Sequence, residues 1–195
     1  MGYHRAGFEV VGVDIKPQPH YPFEFHQADA LTYPLEGFDA YHTSPPCQGY
    51  SEATPITTKQ SHPKLIPQVR GLLQETGKPF VIENVEGSRA HLINPILLCG
   101  SMFGIGVWRH RYFELWPMWI MPPATCNHRR GSCLTVNPPA NARKAQGGKR
   151  DFIKEQIAMC IDWMDKNELA QAIPPAYTEY IGEYLLQAVK EGLKI

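Results

Sequence analysis

Apolar and polar positions change in short blocks along this chain, and most blocks end at a glycine, a proline or an acid. Met1 to Gly7 read as the end of a helix closed by Gly7, and Phe8-Glu9-Val10-Val11-Gly12-Val13-Asp14-Ile15 predicts a strand. Phe23 to Leu31 predicts a second short strand ending near Asp29, and Gly37 to Tyr41 a third. Leu65 to Thr76 has helical spacing and closes at Gly77, before an apolar run, Pro79 to Ile82, that leads into Glu83-Asn84-Val85. Ile96 to Gly104 then leads into Val107 to Leu115, read as a strand on which Arg109 and Arg111 share one face. Asp151 to Lys166 predicts a helix with Phe152, Ile153, Ile157, Ile161 and Met164 on one side. A last helix from about Thr178 to Lys190 carries Ile181, Leu185 and Val189 at core spacing. The strand, helix, strand, helix rhythm predicts an α/β protein with a mostly parallel sheet.

Length refines this picture, since 195 residues suffice for one domain with a sizeable core. Composition shifts suggest three consecutive parts: a core over 1–116, an irregular basic insertion over 117–150, and helices over 151–195 that complete the core. The 19 basic and 19 acidic residues cancel, but their placement does not. Between Leu115 and Arg150 there is no acid, while Arg129, Arg130, Arg143, Lys144, Lys149 and Arg150 are all basic. Five cysteines without regular spacing, and no signal peptide, point to free thiols in a reducing, cytoplasmic setting. No apolar run approaches a membrane span in length.

The candidate chemistry centres on His42-Thr43-Ser44-Pro45-Pro46-Cys47-Gln48-Gly49-Tyr50-Ser51. Two prolines stiffen the backbone just before Cys47, at the carboxyl end of a strand, where open α/β sheets bind ligands. Taken alone, a cysteine after such a turn reads rather as a small core thiol, and only its neighbours along the chain turn the reading towards chemistry. Glu83 falls at another strand end, and paired arginines suit carboxylates or phosphates. Asp14 and Asp29, each ending a strand, suit a nucleoside, although Asp14 alone reads equally as a loop-starting acid. The polar stretch between Glu52 and Pro67 reads as a functional loop. Cys126 and His128 with Cys133 have metal-ligand character, but a fourth ligand is missing and the spacing fits no known finger, so a loop with incidental cysteines and no metal is expected. Addition to a pyrimidine ring uses this whole set. A thiolate attacks C6, an acid protonates or hydrogen-bonds N3, and an arginine holds O2 as charge develops.

Pro45-Pro46-Cys47-Gln48, Glu83-Asn84-Val85 and Arg109-His110-Arg111 occur in the order found in the cytosine-5 DNA methyltransferases, and the chain resembles that family across nearly its whole length. Val11-Gly12-Val13-Asp14, Ala28-Asp29-Ala30 and Ala172-Ile173-Pro174-Pro175 are similar to its cofactor-contacting strand ends and its closing segment. The resemblance implies a Rossmann-like methyltransferase fold using S-adenosylmethionine. The first strand is expected to be missing, because the family's glycine-rich loop does not precede Phe8. By this likeness Cys47 is the nucleophile, Glu83 contacts N3 and the exocyclic amine, and Arg111 reaches O2. Arg109 would brace Glu83 and the phosphate backbone. Asp14 with Ile15 would hold the cofactor ribose, and Asp29 with Ala30 the adenine. Pro46 would shape the turn against cofactor and base, Gln48, Ser51 and Asn84 would meet the substrate, and Arg129 and Arg130 would meet DNA phosphates. The expected partner is double-stranded DNA with the target cytosine rotated out of the helix. The expected enzyme is a cytoplasmic monomer of a prokaryote or of a virus in a prokaryotic host, with a short or relaxed recognition sequence. RNA cytosine methylation and a catalytically silent DNA binder are the alternatives.

Overall fold

The computed structural model describes residues 1–129, 134, 136 and 151–192. The chain forms two compact units, one of Met1–Ala30, Cys99–Arg109 and Pro123–Glu183, the other of Leu31–Leu98, His110–Pro122 and Tyr184–Ile195. Each unit therefore draws on all three of the consecutive parts that composition suggested.

The first unit opens with α1 (Gly2–Arg5), and Gly7 takes the positive φ of 105° that a helix-closing glycine allows. β1 (Val11–Asp14) and β2 (Glu24–Gln27) pair in parallel, with Asp14 opposite Gln27. The helix expected over 151–166 is two helices. α4 (Phe152–Met159) starts at Asp151, whose carboxylate accepts from the Lys154 amide, and stops where Cys160 turns left-handed at φ 56°. α5 (Lys166–Gln171) restarts from a reciprocal cap in which Asp165 accepts from the Glu168 amide and Glu168 accepts from the Asp165 amide. Within α4 the packed face also differs from the expected one. Ile153 and Ile157 are 68% and 70% exposed, while Glu155, Ala158 and Met159 are buried. Val107, Val136, Ala158, Met159, Ile161 and Leu169 form this unit's core. α6 (Pro175–Lys190), which belongs to this unit as far as Glu183, begins with proline in the first turn, where no amide hydrogen is needed.

The second unit holds a four-stranded sheet in the order β3, β4, β6, β5: Tyr41–Thr43, Phe80–Asn84, Arg111–Trp116 and Ile96–Leu98. β3 lies later than expected, because Gly37 bends the preceding residues at φ 89°. Only β3 and β4 are parallel, joined through α2 (Ile56–Lys59) and α3 (Ile66–Glu75). β6 runs antiparallel to both β4 and β5.

The Rossmann-like, mostly parallel sheet is thus not what the chain forms: β1 and β2 make a separate two-stranded sheet, and the larger sheet is mixed and mostly antiparallel. Its physical reason lies in the connections. A parallel return usually needs a helical crossover. Between β4 and β5, and again between β5 and β6, the chain has only short 3₁₀ turns, at Glu86–His91 and Gly100–Met102. With no crossover helix after β5, β6 runs back antiparallel and lies between β4 and β5, which keep one direction. The sheet's core is Tyr50, Ile66, Leu73, Phe80, Ile82, Leu92 and Tyr112. No helix among the described residues is long and apolar enough to cross a membrane.

Candidate active site

Cys47 sits just beyond the carboxyl end of β3, on a turn closed by its own carbonyl. That oxygen accepts from the amides of Tyr50 at 2.9 Å and Ser51 at 2.8 Å. Tyr50 anchors the turn, because its ring is 2% exposed and its hydroxyl accepts from the Ile66 amide at the start of α3. Gly87 completes the anchor. A Cβ there would overlap the Tyr50 carbonyl, so only glycine lets the 3₁₀ segment approach this closely. Pro45 is buried, Cys47 is half-buried, and Pro46 and Gln48 are exposed. Ser51 Oγ accepts from the Ala53 amide.

The Cys47 turn is tied to β4 by one side chain. Asn84, 1% exposed, donates from Nδ2 to the Pro45 carbonyl at 2.7 Å, and its Oδ1 accepts from the Val85 amide at 2.9 Å. Asn84→Ala leaves the buried Pro45 carbonyl without this donor. It is expected to cost about 1–3 kcal/mol, read from urea unfolding, and to speed alkylation of Cys47, read by peptide mapping. An unchanged alkylation rate would mean that Asn84 does not hold the turn.

Glu83 precedes Asn84 and is 6% exposed. Phe113 lies opposite it in the antiparallel register, so Arg111, two residues from Phe113, is its diagonal neighbour on the same face. Arg111 Nε meets Glu83 Oε1 at 2.9 Å, and Arg111 Nη1 donates to the His110 carbonyl at 2.8 Å. Within one unit, the Asn84 bond and the β3–β4 pairing bring the Cys47 turn and this buried ion pair to the same end of two adjacent strands.

His42, on β3, is also drawn into the unit. Its Nε2 lies 3.2 Å from Ser44 Oγ, and burial pushes its pKa from 6.5 down to about 4. Between those values the unfolded chain binds a proton that the folded chain excludes. Stability is therefore full above about pH 6.5 and falls, by at most about 3 kcal/mol, as pH drops towards 4. Urea midpoints at pH 7 and pH 5 should differ in the native chain and differ less in His42→Gln; an equal drop in both would assign the pH response elsewhere.

The first unit carries the residues expected to hold a nucleoside. Because β1 and β2 are parallel, Asp14 and Asp29 lie at the same end of the pair. Asp14 Oδ1 accepts from the Lys16 amide at 2.8 Å, while Ile15 is 66% exposed and Asp29 and Ala30 are exposed. Arg109 also belongs to this unit. It precedes β6, so the alternation argument that paired it with Arg111 does not apply. Its buried guanidinium donates to the Val136 carbonyl at 3.0 Å and the Ala170 carbonyl at 2.6 Å, and the Arg109 carbonyl accepts from Tyr177. Arg129 is exposed, with its amide on Asn127 Oδ1. Arg130, Cys133, Arg143, Lys144, Lys149 and Arg150 lie outside the described residues, while Leu134 bridges Val107.

No protein-family model matches the chain, and no curated protein matches it.

Three features were not found from sequence. Arg70 reaches from α3 to Glu114 on the other face of the sheet, with Nε to Oε1 at 2.6 Å and Nη2 to Oε2 at 2.7 Å. An open cleft of about 480 Å³ lies beside Glu114, lined by Ile93, Pro95, Trp116 and Trp119 among others, and includes none of Cys47, Glu83 and Arg111. Finally, Cys99 joins Cys126 and His128 in a sulfur and nitrogen cluster. Each joins residues far apart in sequence. Only the last had a partial signal, in Cys126 and His128.

Proposed function

We propose that the chain is a DNA cytosine-5 methyltransferase that attacks C6 of an extruded cytosine through Cys47. The observation that carries this reading is the Asn84 bond to Pro45, which holds the Cys47 turn to the strand end bearing the Glu83–Arg111 pair. A thiol, an acid and a guanidinium grouped at one end of a parallel strand pair supply the three kinds of contact that a pyrimidine adduct needs.

In this reading the Cys47 thiolate forms a bond to C6, and the displaced electron pair moves towards N3 and O2. Glu83 donates a proton or hydrogen bond at N3 and accepts from the exocyclic amine, and Arg111 stabilises O2. C5 thereby becomes nucleophilic enough to take a methyl group. Loss of the C5 proton then expels Cys47 and restores the ring. S-adenosylmethionine supplies the electrophilic methyl group. The donor set of the first unit suits its adenosyl half, with Asp14 for the ribose hydroxyls, Asp29 for the adenine amine, and the exposed Ile15 as an apolar surface for the ring. Arg129 contributes salt-dependent phosphate contact. The enzyme acts as a cytoplasmic monomer, which accords with the free thiols of Cys47, Cys99, Cys126 and Cys160.

Incubation with methyl-labelled S-adenosylmethionine tests this directly. Label should appear at C5 of cytosine in duplex DNA and not in RNA of the same sequence. Label in RNA alone would move the assignment to ribocytidine, and duplex binding without any transfer would make the chain a silent DNA binder.

A further inference from the structure

Two sulfurs crowd a single ring nitrogen in the first unit. Cys99 Sγ lies 3.3 Å and Cys126 Sγ 3.1 Å from His128 Nε2. A neutral imidazole nitrogen offers one lone pair or one proton, so it cannot make two good hydrogen bonds at once. A cation among the three atoms uses a lone pair from each. With metal–sulfur and metal–nitrogen bonds of about 2.3 and 2.0–2.1 Å, a tetrahedral zinc site sets sulfur and nitrogen about 3.5 Å apart. The observed separations lie roughly a few tenths of an ångström inside that value.

The surroundings are also those of a ligand set. Ser101 Oγ lies 3.3 Å from Cys99 Sγ and 3.7 Å from Cys126 Sγ, and accepts from the Asn127 amide at 3.1 Å. Trp108 stacks on the His128 ring with centroids 4.3 Å apart and planes 6° apart, which fixes the ring's orientation. Cys99 is fully buried at the start of the Gly100–Met102 turn, so one side of the site is closed to water.

From this geometry we infer that Cys99, Cys126 and His128 bind one zinc ion. Thiolate and imidazole donors select zinc over magnesium or calcium, which prefer oxygen. The fourth corner of the tetrahedron belongs to a water molecule or to one further side chain. Bound there, the ion clips the Gly100–Met102 turn to the 126–129 segment within the first unit. This assignment is independent of the proposed methyl transfer, because none of the three residues takes part in it.

Metal analysis of the full chain, purified without chelator, should find about one zinc per chain. Cobalt in its place should give sulfur-to-metal charge-transfer absorption, which falls by about half in Cys126→Ser as one of two thiolates is lost. Zinc affinity should weaken at least about 100-fold in Cys126→Ser and in His128→Asn, and stay unchanged in Cys160→Ser, which alters an exposed thiol. Circular dichroism of each variant separates loss of metal from loss of fold, and the cobalt spectrum of the native chain reads the site without any substitution. A chain that takes up no zinc on titration would overturn the assignment. So would wild-type affinity in folded Cys126→Ser and His128→Asn, or a metal-free chain in which Cys99 and Cys126 are joined by a disulfide.

Discussion

Serine in place of Cys47 is expected to abolish methyl transfer, with a loss on the order of 10³-fold or more, while duplex affinity stays within about twofold. The reason is specific to the chemistry. A serine hydroxyl at neutral pH is a far weaker nucleophile than a thiol, which is a few per cent thiolate even at its ordinary pKa. Cys47 is half-buried on a turn held by Tyr50 and Asn84, so the smaller oxygen should leave the fold intact. Transfer assays and a binding titration on the same preparation measure the two effects together. Transfer at the native rate in Cys47→Ser would remove Cys47 from the reaction.

The second large effect concerns stability. Arg70 and Glu114 are joined by two short bonds, the Arg70 guanidinium also donates to the His91 carbonyl at 2.7 Å, and Glu114 also accepts from the Ile93 amide at 2.7 Å. Glu114 is 3% exposed. Arg70→Ala leaves a buried carboxylate without its counter-charge and is expected to cost about 3–5 kcal/mol. Replacing both partners with apolar residues, as in Arg70→Met with Glu114→Leu, should recover much of that loss, since the desolvation of both charges disappears. The urea midpoint at pH 7 reads this, with the slope checked for constancy. A cost below about 1 kcal/mol for Arg70→Ala would mean that the pair behaves as a surface ion pair.

The ends of elements were legible in the sequence where a local cause sets them. Gly7 and Gly77 take the positive φ values expected of helix-closing glycines, 105° and 62°, and α3 occupies Ile66–Glu75, close to the span its periodicity suggested. β4 was legible as an apolar run because all of its residues are buried. The direction of the strands was not. Alternating strand and helix patterns say nothing about which connection carries a crossover, and after β5 a 3₁₀ turn stands where a parallel return needs a helix, so β6 runs back antiparallel. The same limit applies to faces. Ile153 and Ile157 fit a helical stripe, but Cys160 ends α4 and the stripe does not coincide with what packs.

For the site, sequence placed Cys47 after a strand and Glu83 at a strand end, since prolines and an apolar run mark both locally. It could not show that Asn84 reaches Pro45 or that Arg111 reaches Glu83, because both contacts depend on register between strands. Arg109 and Arg111 illustrate the cost of assuming register. Read as one strand they share a face, yet β6 begins only at Arg111, and Arg109 is bound to the Val136 and Ala170 carbonyls within the first unit. Cys99 was missed for a related reason. Its apolar neighbours Ile96 to Leu98 read as a strand, which hid its role beside Cys126 and His128.

Attack by Cys47 on C6 is read most directly by covalent trapping on duplex DNA carrying 5-fluorocytosine, in the presence of S-adenosylmethionine. Fluorine at C5 cannot be removed as a proton, so an adduct that forms cannot resolve. A denaturation-resistant protein–DNA complex whose peptide map places the DNA on Cys47 is expected, and none with Cys47→Ser. A complex that survives Cys47→Ser, or methylated product with no trapped complex at any time, would contradict it.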